Sequence, residues 1–348
     1  MSASISAATD PRLQQAITWL NTLKSRFGLD LDSLQAASSD ASFRRYFRLQ
    51  AQNRSLILMD APPATEDCKP FVQVTQLLAP TGIHVPDILA ADTEQGFLLL
   101  SDLGQDNFQT ALKTPMPQSE LDKLYRSTLL TLVKLQQADT TGLPPYNEQR
   151  LLEELQVFPE WYVQKHRQFE LSEKDHNMLR KTFAELVQAN VQSATVLVHR
   201  DFHSPNLMMP LPGQTEPGVI DYQDALAGPI TYDIASLVMD ARVTWTEEQQ
   251  LDWAIRYWQA AMEAGLDVPA DFAVFHQQYE WMSLQRNLRI LGVFARLSLR
   301  DGKHHYLDHM PRLLGYVHQV ASRYESFNGL LRLLNRLEGR QTVLGMTV

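Results

Sequence analysis

The stretch VLVHRDFHSPNLMMP, residues 196–210, sets two histidines, an arginine, an aspartate and an asparagine within eight positions between apolar flanks. The apolar run ahead of it reads as a short buried strand, and Pro205 keeps the polar part from continuing as a helix. His199 and His203 are four apart, which on a helix would present both to a zinc ion. Pro205 argues against that helix, no glutamate follows His199, and Cys68 is the only cysteine, so a cysteine-based zinc site is excluded. Asp201 and Asn206 suit other chemistry. A carboxylate at Asp201 can orient a hydroxyl and take its proton. Five positions on, Asn206 offers a neutral amide oxygen to a hard cation such as magnesium without adding negative charge. Asp221 ends the apolar run GVI fifteen residues after Asn206. Alone it would read as a turn starter; beside this loop it reads as the second metal carboxylate. His199 is expected to order the loop through backbone hydrogen bonds, and His203 to be structural or to approach a substrate. Asp224 is either a third acidic ligand or a turn residue, the turn being preferred.

The rest of the chain divides by period. PRLQQAITWLNTLKSRFG has helical spacing and stops at Gly28. From there to about residue 103 the pattern alternates as strands do, with Phe43, Arg45, Phe47 and Leu49 on one side and Arg44, Tyr46 and Arg48 on the other. One helix, PFVQVTQLL, is inserted, and two strands flank a polar turn at 92–96. From Pro117 onward the pattern is mainly helical, interrupted by ATVLVH and PGVIDY. The boundary expected from composition gives an N-terminal lobe at 1–103 and a larger helical lobe at 104–348. The 348 residues carry a net charge of -9, which argues against nucleic acid or an anionic membrane as the main partner. The N-terminus lacks the pattern of a secretory signal and no run approaches a membrane span, so a cytoplasmic protein is expected, as a monomer.

Taken together, VHRDFHSPNLM, GVIDYQDA and the segment Gly228, Pro229, Asp233, Ile234, Ala235 resemble the aminoglycoside phosphotransferase and choline kinase superfamily, over roughly residues 30–320. The resemblance implies an α+β, protein-kinase-like two-lobe fold, a small antiparallel N-terminal lobe with one helix, and phosphoryl transfer from ATP with Mg2+. It makes Asp201 the catalytic carboxylate, Asn206 and Asp221 the metal ligands, and Asp233 a structural support of the loop. GFLLLSDLG (96–104) is similar to the family's hinge, where the backbone at Ser101, Asp102 and Leu103 would bracket adenine.

Two departures stand out. The phosphate-binding lysine of the family should fall near Met59 and Asp60, and its glutamate partner on PFVQVTQLL; both are missing. The phosphate-loop position, SSDASFRRYFR, contains no glycine. Ser42 with Arg44 or Arg45 is expected to contact the nucleotide instead, the two arginines pointing to opposite faces. This stretch, with MDAPP, VFPEWYV and QRNLRILGVFARL, resembles the bacterial kinases that phosphorylate N-acetylmuramate and N-acetylglucosamine at the anomeric hydroxyl in peptidoglycan recycling. On the acceptor side, Arg286, Arg289 and Arg296 share a helical stripe that could hold a lactyl carboxylate, and Trp161 or Trp281 could stack on a pyranose. The alternatives are another small acceptor (choline or ethanolamine, a hydroxylated amino acid, an aminoglycoside) or a non-catalytic nucleotide-binding protein.

Overall fold

The computed structural model describes residues 10–38 and 43–340. The chain forms two compact units, Met1–Asp106 with Met208–Asp224, and Asn107–Leu207 with Ala225–Val348.

The first unit begins with helix α1 (Pro11–Phe27). Asp10 caps it by accepting the backbone N–H groups of Arg12 and Leu13, and Gly28, at φ 65°, ends it in the left-handed conformation that glycine adopts without steric cost. Strands β1 (Leu29–Ser38), β2 (Arg45–Ala51) and β3 (Arg54–Asp60), helix α2 (Lys69–Leu78), then β4 (Ile88–Asp92) and β5 (Phe97–Ser101) follow. The strands make one antiparallel sheet in the order β1-β2-β3-β5-β4. The alternation expected for β2 is present: Phe47, Leu49 and Ala51 are buried, and Arg48 lies on the other face. They form a core with Leu56, Leu58, Phe97 and Leu99 against the Leu13, Ala16 and Leu20 stripe of α1. The returning segment Met208–Asp224 is fixed to this unit on both sides of Asp221. Val219 N–H donates to the His84 carbonyl at 2.8 Å. Tyr222 stacks on Phe71 with centroids 4.9 Å apart, and its hydroxyl meets that of Thr75 at 2.8 Å.

The second unit is mainly helical: α3 (Phe108–Ala111), α4 (Gln118–Gln136), α5 (Glu148–Leu155), α6 (Glu173–Val191), α7 (Thr231–Val238), α8 (Glu247–Glu263), α9 (Phe272–Asp301), α10 (Met310–Ala321) and α11 (Asn328–Leu337). The helical stretch expected at 150–166 is divided, α5 being followed by a π-helix at Phe158–His166 that contains Pro159. A short antiparallel pair, Thr195–Val198 with Leu226–Pro229, leads into the polar loop at 199–206. Gly228 is required in that pair, since a Cβ there would lie 2.6 Å from the Cβ of Tyr146. Among the described residues no helix is long and apolar enough to cross a membrane.

Candidate active site

The loop that follows Val198 is built from the backbone outward. Asp233, fully buried at the first turn of α7, accepts the backbone N–H of His199 at 2.7 Å and of Arg200 at 3.0 Å. Arg200 sits at φ 75°, a left-handed conformation costly for a residue with a Cβ, and these two bonds help to hold it there. His199 Nδ1 accepts the Asp201 N–H at 3.3 Å, the ordering contact expected of it. Asn206 Nδ2 donates to the Asp201 carbonyl at 3.0 Å, which fixes the amide plane of the asparagine relative to the aspartate. At the far end of the loop Asp240 accepts Ser204 N–H at 2.9 Å and Arg242 N–H at 2.8 Å. Two buried carboxylates from α7 and its exit thus clamp one loop.

The charge on Asp201 is set by its surroundings. Burial opposes ionisation, but the His203 ring and the guanidinium groups of Arg289, Arg286 and Arg200 outweigh it and hold the carboxyl well below the usual range. His203 moves the other way: burial and the adjacent Arg242 push its imidazole down to about 3, so the ring is neutral at neutral pH. It lies 3.3 Å from both Arg242 Nη1 and Asn206 Nδ2. A hub at Glu154 on α5 escaped sequence reasoning. Its carboxylate takes Arg200 Nη2 at 2.8 Å, Arg289 Nε at 3.3 Å and the Tyr146 hydroxyl.

That hub changes the reading of the arginine stripe. Arg289 is paired with Glu154 and also reaches the Tyr232 hydroxyl at 3.4 Å, while Arg286 is 2% exposed. Both bear electrostatically on Asp201. Arg289 is thus committed to Glu154, which corrects its reading as a cation held out for a lactyl carboxylate, and both arginines favour the ionised form of Asp201. Trp161, on the π-helix, is covered by Lys165 with Nζ 3.5 Å from its ring. Trp281 packs edge-on against Tyr324 and Phe327, 5.7 and 4.9 Å between centroids, which corrects its assignment as a sugar platform.

Burial raises the Asp233 carboxyl to about 6. Its value in the folded chain exceeds that of an ordinary aspartate, so its contribution to stability is present at low pH and lost as pH rises through about 6. Activity has the opposite sign, because the ionised form is the acceptor for His199 and Arg200. Turnover is expected to fall about tenfold per pH unit below about 6, one proton binding, with no loss of thermal stability between pH 6 and 4.5. A kcat–pH profile measured beside melting curves checks this; Asp201, held far lower, cannot produce that limb.

In the first unit, Asp221 stands at φ 67°, a second strained non-glycine residue, and its Oδ1 accepts Gln223 Nε2 at 2.9 Å. Asp224 is exposed and shares that amide at 3.4 Å, as a turn residue would. Asp60, at the position expected for the family's lysine, is fully buried. It accepts Arg12 Nε at 2.8 Å and Arg45 Nε at 2.9 Å, and Arg45 reaches Asp10 as well. This corrects the expectation for Arg45: its guanidinium is committed to two carboxylates. Arg44 Nε lies 3.5 Å from a carboxylate oxygen of Glu66. Ser42 lies outside the described residues. At the hinge, Ser101 N–H donates to the Asp87 carbonyl at 3.0 Å. The Asp102 carboxylate is taken by Arg48 at 2.6 and 3.0 Å, by Ser55 at 2.5 Å and by Gly104 N–H at 3.0 Å, so its side chain serves structure and does not contact a base. Leu103 packs over Gly218, where a Cβ would lie 2.9 Å from its Cδ1.

The second unit thus presents an ionised aspartate on a clamped loop with an asparagine five residues on, and the first unit presents a strained aspartate after a short strand. Residues 33–272 match the phosphotransferase enzyme family, and the chain belongs to it. The N-acetylmuramate/N-acetylglucosamine kinase of Pseudomonas aeruginosa is 43% identical over 336 residues, covering 94% of this chain and 97% of the relative. The enzyme of the same name from Neisseria meningitidis serogroup B is 41% identical over 323 residues, covering 92% and 94%. Among solved structures, a macrolide 2'-phosphotransferase from Brachybacterium faecium superposes with a TM-score of 0.58 at 16% identity, covering 85% of this chain and 97% of its own. That likeness is one of fold.

Proposed function

We propose that this protein transfers the γ-phosphate of ATP to the anomeric hydroxyl of N-acetylmuramate and N-acetylglucosamine, in the recovery of cell-wall sugars. The observation that carries the chemistry is the ionised Asp201 on its clamped loop; the relatives named for those two sugars, matched along almost their whole length, support the acceptor.

Asp201 orients the acceptor hydroxyl and receives its proton. A carboxylate held this far below the usual range is too weak a base to strip the hydroxyl beforehand, so the proton moves as the new P–O bond forms and the oxygen becomes acidic. That timing suits the loose, metaphosphate-like transition state of phosphoryl transfer, in which placement and charge neutralisation do most of the catalysis. Asn206 and Asp221 are assigned to magnesium. The donor set fits a hard cation, being one amide oxygen and one carboxylate, and the bond from Asn206 Nδ2 to the Asp201 carbonyl turns the Oδ1 side of the amide away from that carbonyl. When bound, the ion neutralises charge on the transferring phosphates. Arg286 has two buried N–H groups, Nε and Nη1, without an acceptor among the described residues, a place for an acceptor or phosphoryl oxygen. The backbone at Asp102 and Leu103 is assigned to adenine, and Ser42 and Arg44 to the phosphates.

Since Arg45 is held by Asp60 and Asp10, Arg44→Ala is expected to raise KM for ATP about tenfold, the value of a hydrogen bond between charged groups. Arg45→Ala should act instead on the melting temperature. Steady-state kinetics and thermal melts of both variants decide the assignment.

ADP release measured with N-acetylmuramate, N-acetylglucosamine, choline, homoserine and kanamycin tests the whole reading. Turnover confined to the two amino sugars is expected. Turnover with choline or kanamycin alone contradicts the acceptor, and ATP binding without turnover of any acceptor contradicts the enzyme.

A further inference from the structure

A cavity of about 510 Å³ opens within the helical unit, between the connection from α3 to α4 and the segment 242–245. This is an ordinary size for a small-molecule site. Its charge is not ordinary for a chain of net charge -9. Lys113, Arg242 and His309 line it, and no acidic side chain is among the described lining residues. Trp245 supplies an aromatic wall, held in place by edge-to-face packing on Tyr125 at 5.1 Å and Trp253 at 4.9 Å. Gln109 and Thr114 add polar groups.

The cavity is joined to the catalytic loop through one residue. Arg242 Nη1 lies 3.3 Å from His203 Nδ1, and His203 is two residues from Asp201, its backbone N–H donating to the Asp201 carbonyl at 2.9 Å. Two carboxylates lie nearby, and Asp240 offsets part of the charge of Arg242, which leaves Lys113 as the cation without an acid beside it among the described lining residues. Asp240 is fully buried beneath the loop, where it accepts the backbone N–H groups of Ser204 and Arg242. Asp308 is exposed beside His309. The imidazole of His309 is held below its usual range by burial, by Arg242 and by Arg312, against the pull of Asp240 and Asp308, so at neutral pH it serves as a neutral hydrogen-bonding group. Arg289, which the sequence offers for the same task, is paired with Glu154.

We propose that this cavity receives a carboxylate carried on the acceptor sugar, the lactyl ether of N-acetylmuramate, with Arg242 and Lys113 pairing with it and Trp245 lining the path of the ring. On this proposal a pyranose whose anomeric hydroxyl meets Asp201 would carry its lactyl group to the Arg242 side of His203, Arg242 being the residue that touches both that ring and the cavity. N-Acetylglucosamine, which lacks the carboxylate, makes the same approach to Asp201 without these contacts. The cavity thus sets the preference between the two sugars while leaving the chemistry to the catalytic loop. This inference rests on the amino-sugar reading above.

Lys113 is exposed, so its replacement tests binding and not folding. The experiment measures kcat and KM for N-acetylmuramate, N-acetylglucosamine and ATP in the unmodified protein, Lys113→Ala, Lys113→Glu and Arg242→Lys. The ratio of kcat/KM for N-acetylmuramate over N-acetylglucosamine is expected to fall about tenfold in Lys113→Ala and further in Lys113→Glu, through KM. Arg242→Lys keeps the charge but not the fork, and should lower the ratio less than Lys113→Glu. An unchanged ratio in both Lys113 variants overturns the proposal. So does a change confined to KM for ATP, which would make the cavity a nucleotide contact. No turnover of either sugar by the unmodified protein overturns the amino-sugar reading, and this inference with it.

Discussion

Asp201→Asn is expected to lower kcat by about 10³-fold, with KM for ATP changed less than threefold. The amide keeps the shape of the side chain but can neither carry the charge that orients the acceptor hydroxyl nor take its proton. The loop itself should survive the change, because its anchors are backbone bonds to Asp233 and Asp240 and not to the Asp201 side chain. The positive surroundings should even stabilise the variant less than the native carboxylate, since Arg289, Arg286 and Arg200 lose the charge they face. Single-turnover kinetics beside a melting curve separates the two effects. A variant that melts normally and turns over within tenfold of the native rate removes Asp201 from the chemistry.

The second large effect is on stability. Asp60→Ala leaves Arg12 and Arg45 converging on a fully buried position with Asp10 as the remaining carboxylate. Breaking a buried ion pair by removing one partner costs about 3–5 kcal/mol. The lower end applies here because the side chain of Arg45 is 34% exposed and water relieves part of the penalty. We expect a loss of about 3 kcal/mol in urea unfolding. Asp60→Asn, which still accepts one hydrogen bond, should lose about half of that. A loss below about 1 kcal/mol for the alanine variant would mean that the network is not structural, and would return Arg45 to the nucleotide.

These residues also show what could be read in advance. Asp201, Asn206 and Asp221 stood out in the sequence because the chemistry assigned to them fixes both residue type and spacing, and the loop lies within one short stretch. The alternation in β2 separated Arg45, which reaches Asp60, from Arg48, which reaches Asp102. It could not say that Asp60, paired with Arg45 across the β2–β3 ladder, and Asp10, capping a helix 35 residues earlier, would claim one of them. Helical spacing put Arg286 and Arg289 near one stripe of α9, but which way the stripe turned depended on Glu154, more than a hundred residues away. Asp240 and Arg242 carried no local signal at all. They matter because the chain returns at the end of α7 to the loop that left the Thr195–Val198 strand. Partners distant in sequence decide whether a cation binds a ligand or a neighbour, and periodicity does not report them.

Transfer to the anomeric oxygen is tested by the position of the phosphate in the product. Phosphorus NMR of the product formed from ATP and N-acetylglucosamine should show a single sugar phosphate coupled to the anomeric proton. The methyl glycoside of the same sugar, whose anomeric oxygen is blocked, should yield no product. Phosphorylation of the methyl glycoside, or a phosphate coupled to the C6 protons, would contradict the account.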